Sequence, residues 1–325
     1  GSTITMDTSD NVTIGNDLAV SGGDILANST NARATVYLTR NDTDNLVSGE
    51  EVGFFAGGSY YIGDLNEVHF NLIQPAVGVF YKKNLDRRFA IKSSIFHGEI
   101  RGSDKTNKVD STKINRNLHF KSPITEISAQ VEFNFMNYET GNKKYSFSPY
   151  ITSGISFYKF NPQARRYDTA NPFDNDGVGT SNPWIKLQNL GTEGQNSAGY
   201  PERSPYMLSQ FAIPLGVGFK MSIAKNFSFS IEYGIRKIFT DYIDDVSLTY
   251  VDPSILYAEN QIAAELSDRS VDYQNWHLQN NSGINLWDEN IDKNRGNENN
   301  WNDWFSFCGI SIIYKFNTTP KVCMY

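Results

Sequence analysis

Eight stretches of the chain alternate apolar and polar residues with a period of two, as a strand does when one of its faces meets an apolar environment. They span 52–62, 76–82, 89–100, 125–135, 147–160, 211–223, 227–238 and 304–316. In the fourth, Ile127, Ala129, Val131, Phe133 and Phe135 share one face, and Glu126, Ser128, Gln130, Glu132 and Asn134 the other. The seventh sets Phe227, Phe229, Ile231, Tyr233 and Ile235 against Ser228, Ser230, Glu232, Gly234 and Arg236. The sixth sets Ile213, Leu215, Val217, Phe219 and Met221 against Pro214, Gly216, Gly218, Lys220 and Ser222. Most stretches match the ~9–11 residues that a tilted strand needs to cross a bilayer; 76–82 is shorter.

The connections discriminate between architectures. Short links join the second and third stretches (Asn84-Leu85-Asp86), the fourth and fifth (138–142), and the sixth and seventh (Ala224-Lys225-Asn226). The other four, about 63–75, 101–124, 161–210 and 239–303, are longer. Short and long links therefore alternate around an even number of strands, as in outer-membrane barrels with periplasmic turns and outside loops. A soluble antiparallel sandwich shares the residue alternation but has no reason to gather its long loops at one end. The pattern predicts an all-β fold: an eight-stranded antiparallel transmembrane β-barrel over 51–316, with long extracellular loops and short periplasmic turns. A periplasmic tail, 317–325, follows the aromatic finish Tyr314-Lys315-Phe316.

Composition agrees. Aromatic residues reach 14% while hydrophobic residues total only 39%, and no apolar run approaches the ~20 residues of a membrane helix. A barrel needs lipid-facing residues only at every second position, with aromatic girdles at both interfaces. The net charge of −7, with both signs mixed, leaves no basic stripe for nucleic acid. Cys308 and Cys323 make neither a disulfide framework nor a zinc site. Cys308 falls on the apolar face of its strand, towards lipid or a neighbouring protein. No signal peptide is visible, so the reading is a processed or recombinant form, with Gly1-Ser2 as a cloning remnant. Residues 1–50 form a separate polar segment. Its stretch NVTIGNDLAVSGGDILA fits the β-repeat of a fibrous stalk, a flexible periplasmic arm, or a foreign sequence.

If the apolar faces meet lipid, the polar faces meet inside. The lumen then holds Glu126, Glu132 and Glu232 opposite Lys92, Lys220, Arg236 and Lys315. An eight-stranded barrel is just wide enough for side chains to fill it, and buried charges are tolerable only when paired. The near balance of signs predicts an ion-paired plug, with a narrow proton or solute path as the alternative. On the loops, Asp241, Asp244 and Asp245 form an oxygen-rich group that lacks the spacing of a calcium loop. It is a weak calcium candidate against the simpler role of capping turns. LGTEGQ (190–195) reads as a turn with a charged tip, and WDENIDKNRGNENNWN (287–302) as a solvated loop. His69, His97, His119 and His277 sit in no metal or catalytic spacing, and no nucleophile elbow occurs. No enzyme, metal or cofactor is expected, and a histidine near a strand end reads as a hydrogen-bonded rim residue.

A family resemblance adds to this. Gly57–Leu65 (GGSYYIGDL) resembles the first strand of the PorG family, the outer-membrane barrel of the type IX secretion system of Bacteroidota. Pro75-Ala76-Val77-Gly78, NLHFKSPITE (117–126), 147–162, LGTEGQ, IPLGVG (213–218), TDYIDDVS (240–247) and LSDRS (266–270) follow in the same order. The resemblance spreads over 51–316 and excludes residues 1–50. It implies a non-enzymatic part in protein secretion, and in gliding motility in some species. The barrel would tie a periplasmic ring, a PorK-like lipoprotein with a PorN-like partner, to the outer membrane and its lipid. The partner surface would then be periplasmic: Asp86, Arg87 and Arg88 in one turn, Lys143 and Lys144 in the next, and Lys321 in the tail. Simple hairpin closure is the competing role for those turns. The alternative functions are a narrow small-solute channel and a surface receptor or adhesin using the long loops.

Overall fold

The computed structural model describes residues 3–6, 12–15, 49–106, 110–166, 183–270, 290–296 and 303–316. Eight strands form a closed sheet: β1 (Gly49–Ile62), β2 (Gln74–Asn84), β3 (Phe89–Ser103), β4 (His119–Asn134), β5 (Phe147–Lys159), β6 (Ser209–Ser222), β7 (Phe227–Ile238) and β8 (Trp304–Phe316). Each pairs antiparallel with the next. β8 then pairs with β1 from Trp304↔Ile62 to Phe316↔Glu50. Closure satisfies the backbone donors and acceptors that an open edge would leave in hydrocarbon.

The period-two pattern decides which way each strand faces. Phe54, Val79, Ile95, Ile127, Ile155, Val217, Ile231 and Ile312 all stand exposed on the outer wall. A contiguous apolar belt of this kind has no place on a water-soluble monomer; it is the surface of a membrane-spanning barrel. From Phe227 to Ile235, β7 advances ~27 Å, which at the usual tilt gives roughly 20 Å of height, near the ~25 Å of an outer-membrane apolar band. Aromatic pairs edge the belt below, with Phe227–Tyr314 and Phe89–Phe133 both at 5.1 Å. At the upper rim, Lys237 Nζ lies 4.4 Å from the centre of the Trp304 ring.

Strands and connections follow the expected order, with one correction. Much of 101–124 is strand, because β3 and β4 continue as a paired hairpin up to Ser103↔His119. Pro123 argues against strand in the sequence, since it cannot donate to a ladder. It is accommodated because the pairing of β4 with β5 stops at Thr125 and the pairing with a short loop strand, Gln163–Arg165, begins at Lys121. That loop strand pairs with a second, Trp184–Lys186.

Residues Gly1–Asp42 form a separate unit, within which Thr3–Met6 pairs with Val12–Gly15. The rest of that segment and the tail 317–325, with Lys321 and Cys323, lie outside the described residues.

Candidate functional site

The lumen is filled in layers. Nearest the short turns, Lys82 Nζ lies 3.2 and 3.1 Å from the two carboxylate oxygens of Glu132 and 3.7 Å from Glu51. Lys220 pairs with the same Glu132 and stands 4.4 Å over the Tyr138 ring. Thr140 Oγ1 donates to Glu51 at 2.7 Å. One layer up, Lys92 Nζ donates to Glu232 at 2.7 and 2.9 Å, and the Tyr150 hydroxyl donates to the same carboxylate at 2.7 Å. Above that, Arg236 holds Glu126 with Nε and Nη2 at 2.9 and 2.8 Å. Its guanidinium stacks 3.9 Å over Phe307.

Four buried carboxylates, Glu51, Glu126, Glu132 and Glu232, thus meet four buried cations, Lys82, Lys92, Lys220 and Arg236. Next comes an aromatic layer in which Phe307 packs edge-on to Phe55 at 4.8 Å and stacks on Phe96 at 5.1 Å. Phe305 and Tyr158 extend it towards the loops. A void of about 20 Å³ between Lys92, Phe96, Glu232 and Phe307 has room for one water and little more. The lumen is a plug.

Six of the seven lumen residues read from the sequence occupy this ladder. Lys315 does not: it sits at the lower mouth, donating to the Thr140 carbonyl at 3.1 Å and lying 3.6 Å from Glu139. The reading missed Lys82, which closes the short second stretch, and Glu51, which precedes the first. Both share the inward parity of their strands, with Ala76 and Phe80 for one and Phe55 for the other, and parity alone could have found them.

The long loops form a second packed body. Arg295 is its hub: Nε donates to the Ser267 carbonyl at 2.9 Å, Nη1 to the Asp245 carbonyl at 2.6 Å and to Glu193 at 3.3 Å, and Nη2 to the Leu266 carbonyl at 3.2 Å. Glu193 also accepts from the amides of Ser247 and Leu248, both at 3.0 Å. Arg116 grips Asp104 with two bonds and donates to the backbone oxygens of Arg295 and Asp64. One expectation is corrected here: Glu193, the supposed charged tip of LGTEGQ, is fully buried. In the loop expected to be solvated, Asp292, Lys293 and Asn294 are exposed while Arg295 is only 2% exposed. Composition suggested water, but three loops meet on these two charges.

The calcium reading is also corrected. Among the described residues no group of carboxylates is arranged to hold a metal. Asp245, in left-handed backbone at φ 72°, turns its carboxylate to Thr192 Oγ1 and the Tyr206 hydroxyl, both at 2.5 Å. Asp244 turns to other partners, accepting from the Tyr61 hydroxyl at 2.6 Å and the Val246 amide at 3.0 Å. Asp241 is only half-buried.

Burial sets the titration of this cap. It pushes Asp245 up to about 6 in spite of the nearby Arg295. Burial, with the charge of Asp64, pushes Asp241 up to about 7. Asp244 and Asp303 are held well above the usual carboxylate range by burial first, then by the charges of Asp64 on Asp244 and of Asp244 on Asp303. The Tyr61 hydroxyl lies 2.6 Å from Asp244 and 2.8 Å from Asp303. It has one proton to give, so a protonated carboxyl completes the second contact.

Groups with raised pKa bind more protons folded than unfolded, so their stabilisation is complete below the ordinary Asp pKa of about 3.9 and is lost as pH rises through the folded values. The cap is therefore expected to tighten on acidification from about 7 towards 5. Amide exchange at 240–250 should slow correspondingly, with amides of the lower barrel unchanged. Equal exchange at both pH values would contradict this.

At the short-turn end, Asp86 caps its own turn by accepting from the amides of Arg88 and Phe89 at 2.6 and 2.7 Å. Arg87 lies 3.6 Å from Glu139 and 4.5 Å over the Tyr145 ring. Arg88 donates to Asn137 Oδ1 and the Phe135 carbonyl, both at 3.3 Å, and Lys143 and Lys144 are exposed. Hairpin closure accounts for Asp86 and much of Arg87. Lys144 stands 5.3 Å over the Tyr145 ring in the same turn, and hairpin closure leaves Lys143 unexplained. Three histidines are rim residues with hydrogen bonds: His69 to the Tyr60 hydroxyl, His97 to Thr125, and His119 accepting from the Arg165 amide. His277 lies outside the described residues.

The geometry defines a closed transmembrane barrel with a plugged lumen under a packed loop cap. A family model described only as a domain of unknown function (DUF6089) matches residues 35–179, and no curated protein matches the chain. Solved structures of similar shape include the attachment invasion locus protein Ail of Yersinia pestis (8% identity, TM-score 0.34, 83% of this chain and 100% of that one). Neisserial surface protein A is another (8%, 0.36, 82% and 97%). The outer membrane protein OprG of Pseudomonas aeruginosa is a third (10%, 0.33, 85% and 99%). Likeness at this level carries no argument about what this chain does.

Proposed function

We propose that this chain is a non-enzymatic outer-membrane anchor for a periplasmic ring of the type IX protein secretion machinery. The observation that carries the reading is the plugged lumen: charge-balanced layers and an aromatic layer fill it, which favours a role carried out at the rims. The periplasmic rim has the charge for a protein partner. Among the described residues, seven cations (Lys83, Arg87, Arg88, Lys143, Lys144, Lys225 and Lys315) stand there against Glu50, Asp86 and Glu139, on a chain whose net charge is −7. The family resemblance supplies the partner, a PorK-like lipoprotein with its PorN-like companion, whose docking face would be acidic. It also implies an outer-membrane location, which the apolar belt of the barrel supports.

Gentle detergent extraction from the native outer membrane, followed by mass spectrometry, tests this. The ring lipoprotein and its periplasmic partner are expected to come with the wild-type barrel. The triple variant R88E/K143E/K144E is expected to lose them while still folding, as its heat-dependent gel mobility would show. Capture should weaken with salt, as for any charge-steered contact. A wild-type barrel recovered alone overturns the reading.

A further inference from the structure

The β3–β4 hairpin rises above the apolar belt, and its outer wall carries a strip of cations. Paired residues of neighbouring strands share a face, so the register gives the rows. The lowest is His97↔Thr125↔Lys159, immediately above exposed Ile95, Ile127 and Phe157. Four residues higher run Arg101, Lys121, Gln163 and Lys186, paired in that order. Higher still are Ser103↔His119 and Arg165↔Trp184. The Trp184 ring is clamped there, with Lys121 Nζ at 4.6 Å, the Arg165 guanidinium at 4.7 Å and the His119 ring at 5.9 Å.

Glu99 is the carboxylate in the strip, 2.7 Å from Arg101 and 3.6 Å from Lys121. Lys159 and Lys186 stand exposed. At the head of the strip, His119 Nδ1 and Ser103 Oγ are both buried and have no hydrogen-bond partner among the described residues; the two residues are 6% and 7% exposed. The charges of Arg269, Lys105 and Arg165 surround that ring. Buried polar atoms are rarely left without partners, and two side by side within a cationic frame mark a place for an acceptor group.

We propose that this strip binds a phosphate-bearing lipid of the outer leaflet. Its phosphates would lie along Lys159, Lys186 and Arg101, and its acyl chains on Ile127, Ile155, Phe157 and Phe211. Three features favour a lipid over a soluble anion. The strip is continuous with the apolar belt, its lowest cation is one residue pair above lipid-facing Phe157, and Ile155 and Phe211 are among the most exposed apolar residues of the wall. The inference is independent of the ring-anchor reading, since it concerns the opposite rim.

The test is native mass spectrometry of the detergent-solubilised full chain, titrated with bisphosphorylated lipid A, its dephosphorylated form and inorganic phosphate. Removing the phosphates is expected to weaken lipid binding roughly tenfold or more, at about one Lys or Arg contact's worth of attraction per charge near the surface. K159E/K186E, at two exposed sites, should bring bisphosphorylated lipid A down to the level of the dephosphorylated form. K293E, on the cap, should leave the difference intact. Equal binding of the two lipids, or a difference that survives K159E/K186E, overturns the proposal. Retention of inorganic phosphate as strong as that of the lipid would make the strip a soluble-anion site and overturns it too.

Discussion

Glu132→Ala is expected to destabilise the barrel by about 3–5 kcal/mol, the usual consequence of removing one partner from a buried ion pair. The cost is high because Glu132 serves two cations at once: Lys82 and Lys220 are 2% and 0% exposed. Without it they share only Glu51, 3.7 Å from Lys82. Urea unfolding of the barrel refolded into lipid vesicles measures the loss. The double variant Glu132→Met/Lys220→Met separates charge from packing. It leaves Glu51, Glu126 and Glu232 against Lys82, Lys92 and Arg236, three of each sign, and fills the space with side chains of similar volume. It should recover most of the loss, since well-packed apolar replacements of buried pairs are often neutral or better. A near-neutral Glu132→Ala would mean that water reaches the two lysines. The lumen would then be wet, and the anchor reading would lose the observation it stands on.

The barrel was legible because a strand's side-chain period is fixed at two and every strand here is solvated differently on its two faces. Phe227 to Ile238 shows it most simply: parity placed Glu232 and Arg236 inside and Ile231 and Ile235 outside, as found. The same rule would have caught Lys82 and Glu51. Both fall at the ends of apolar runs, where the apolar half of the alternation gives way to consecutive charges. The start of β4 was hidden by Pro123, whose missing donor is tolerated at one gap in the pairing that only the fold creates.

The cap had no such rule behind it. Loops have no period, and the bond between Glu193 and Arg295 joins residues 102 positions apart. Most of Arg295's partners are carbonyl oxygens, which every residue type carries. Acidic and Asn-rich composition suggested solvent, and three nearby Asp suggested a cation. The fold instead points Asp244 and Asp245 in different directions and supplies an arginine as the counter-charge. The motifs LGTEGQ, TDYIDDVS and LSDRS nevertheless all contribute to this one network, through Glu193, Asp245 and the carbonyls of Leu266 and Ser267. Their common location is a physical reason for their joint occurrence.

That network can be broken on its own. Arg295→Ala removes four donated bonds and leaves Glu193, fully buried, without its arginine counter-charge. The expected local cost is about 3–5 kcal/mol. It should fall on the cap alone, because no lumen ion pair involves a cap residue. Limited proteolysis at neutral pH should therefore cut within 239–303 much faster than in the wild type, while the membrane-embedded fragment keeps its folded gel mobility. Arg295→Lys should restore less than half of the protection: it returns the charge, but one ammonium cannot reproduce a planar fork that reaches three carbonyls and a carboxylate. Acid should soften the defect. Burial holds Asp245 at about 6 even beside Arg295, and losing that charge pushes it higher, so on acidification from neutral pH Asp245 becomes neutral and Arg295→Ala strands one carboxylate instead of two. A variant cut no faster than the wild type would show that the loops are held by their apolar contacts, such as Leu266 against Ala164 and Leu187, and that the buried charges are passengers.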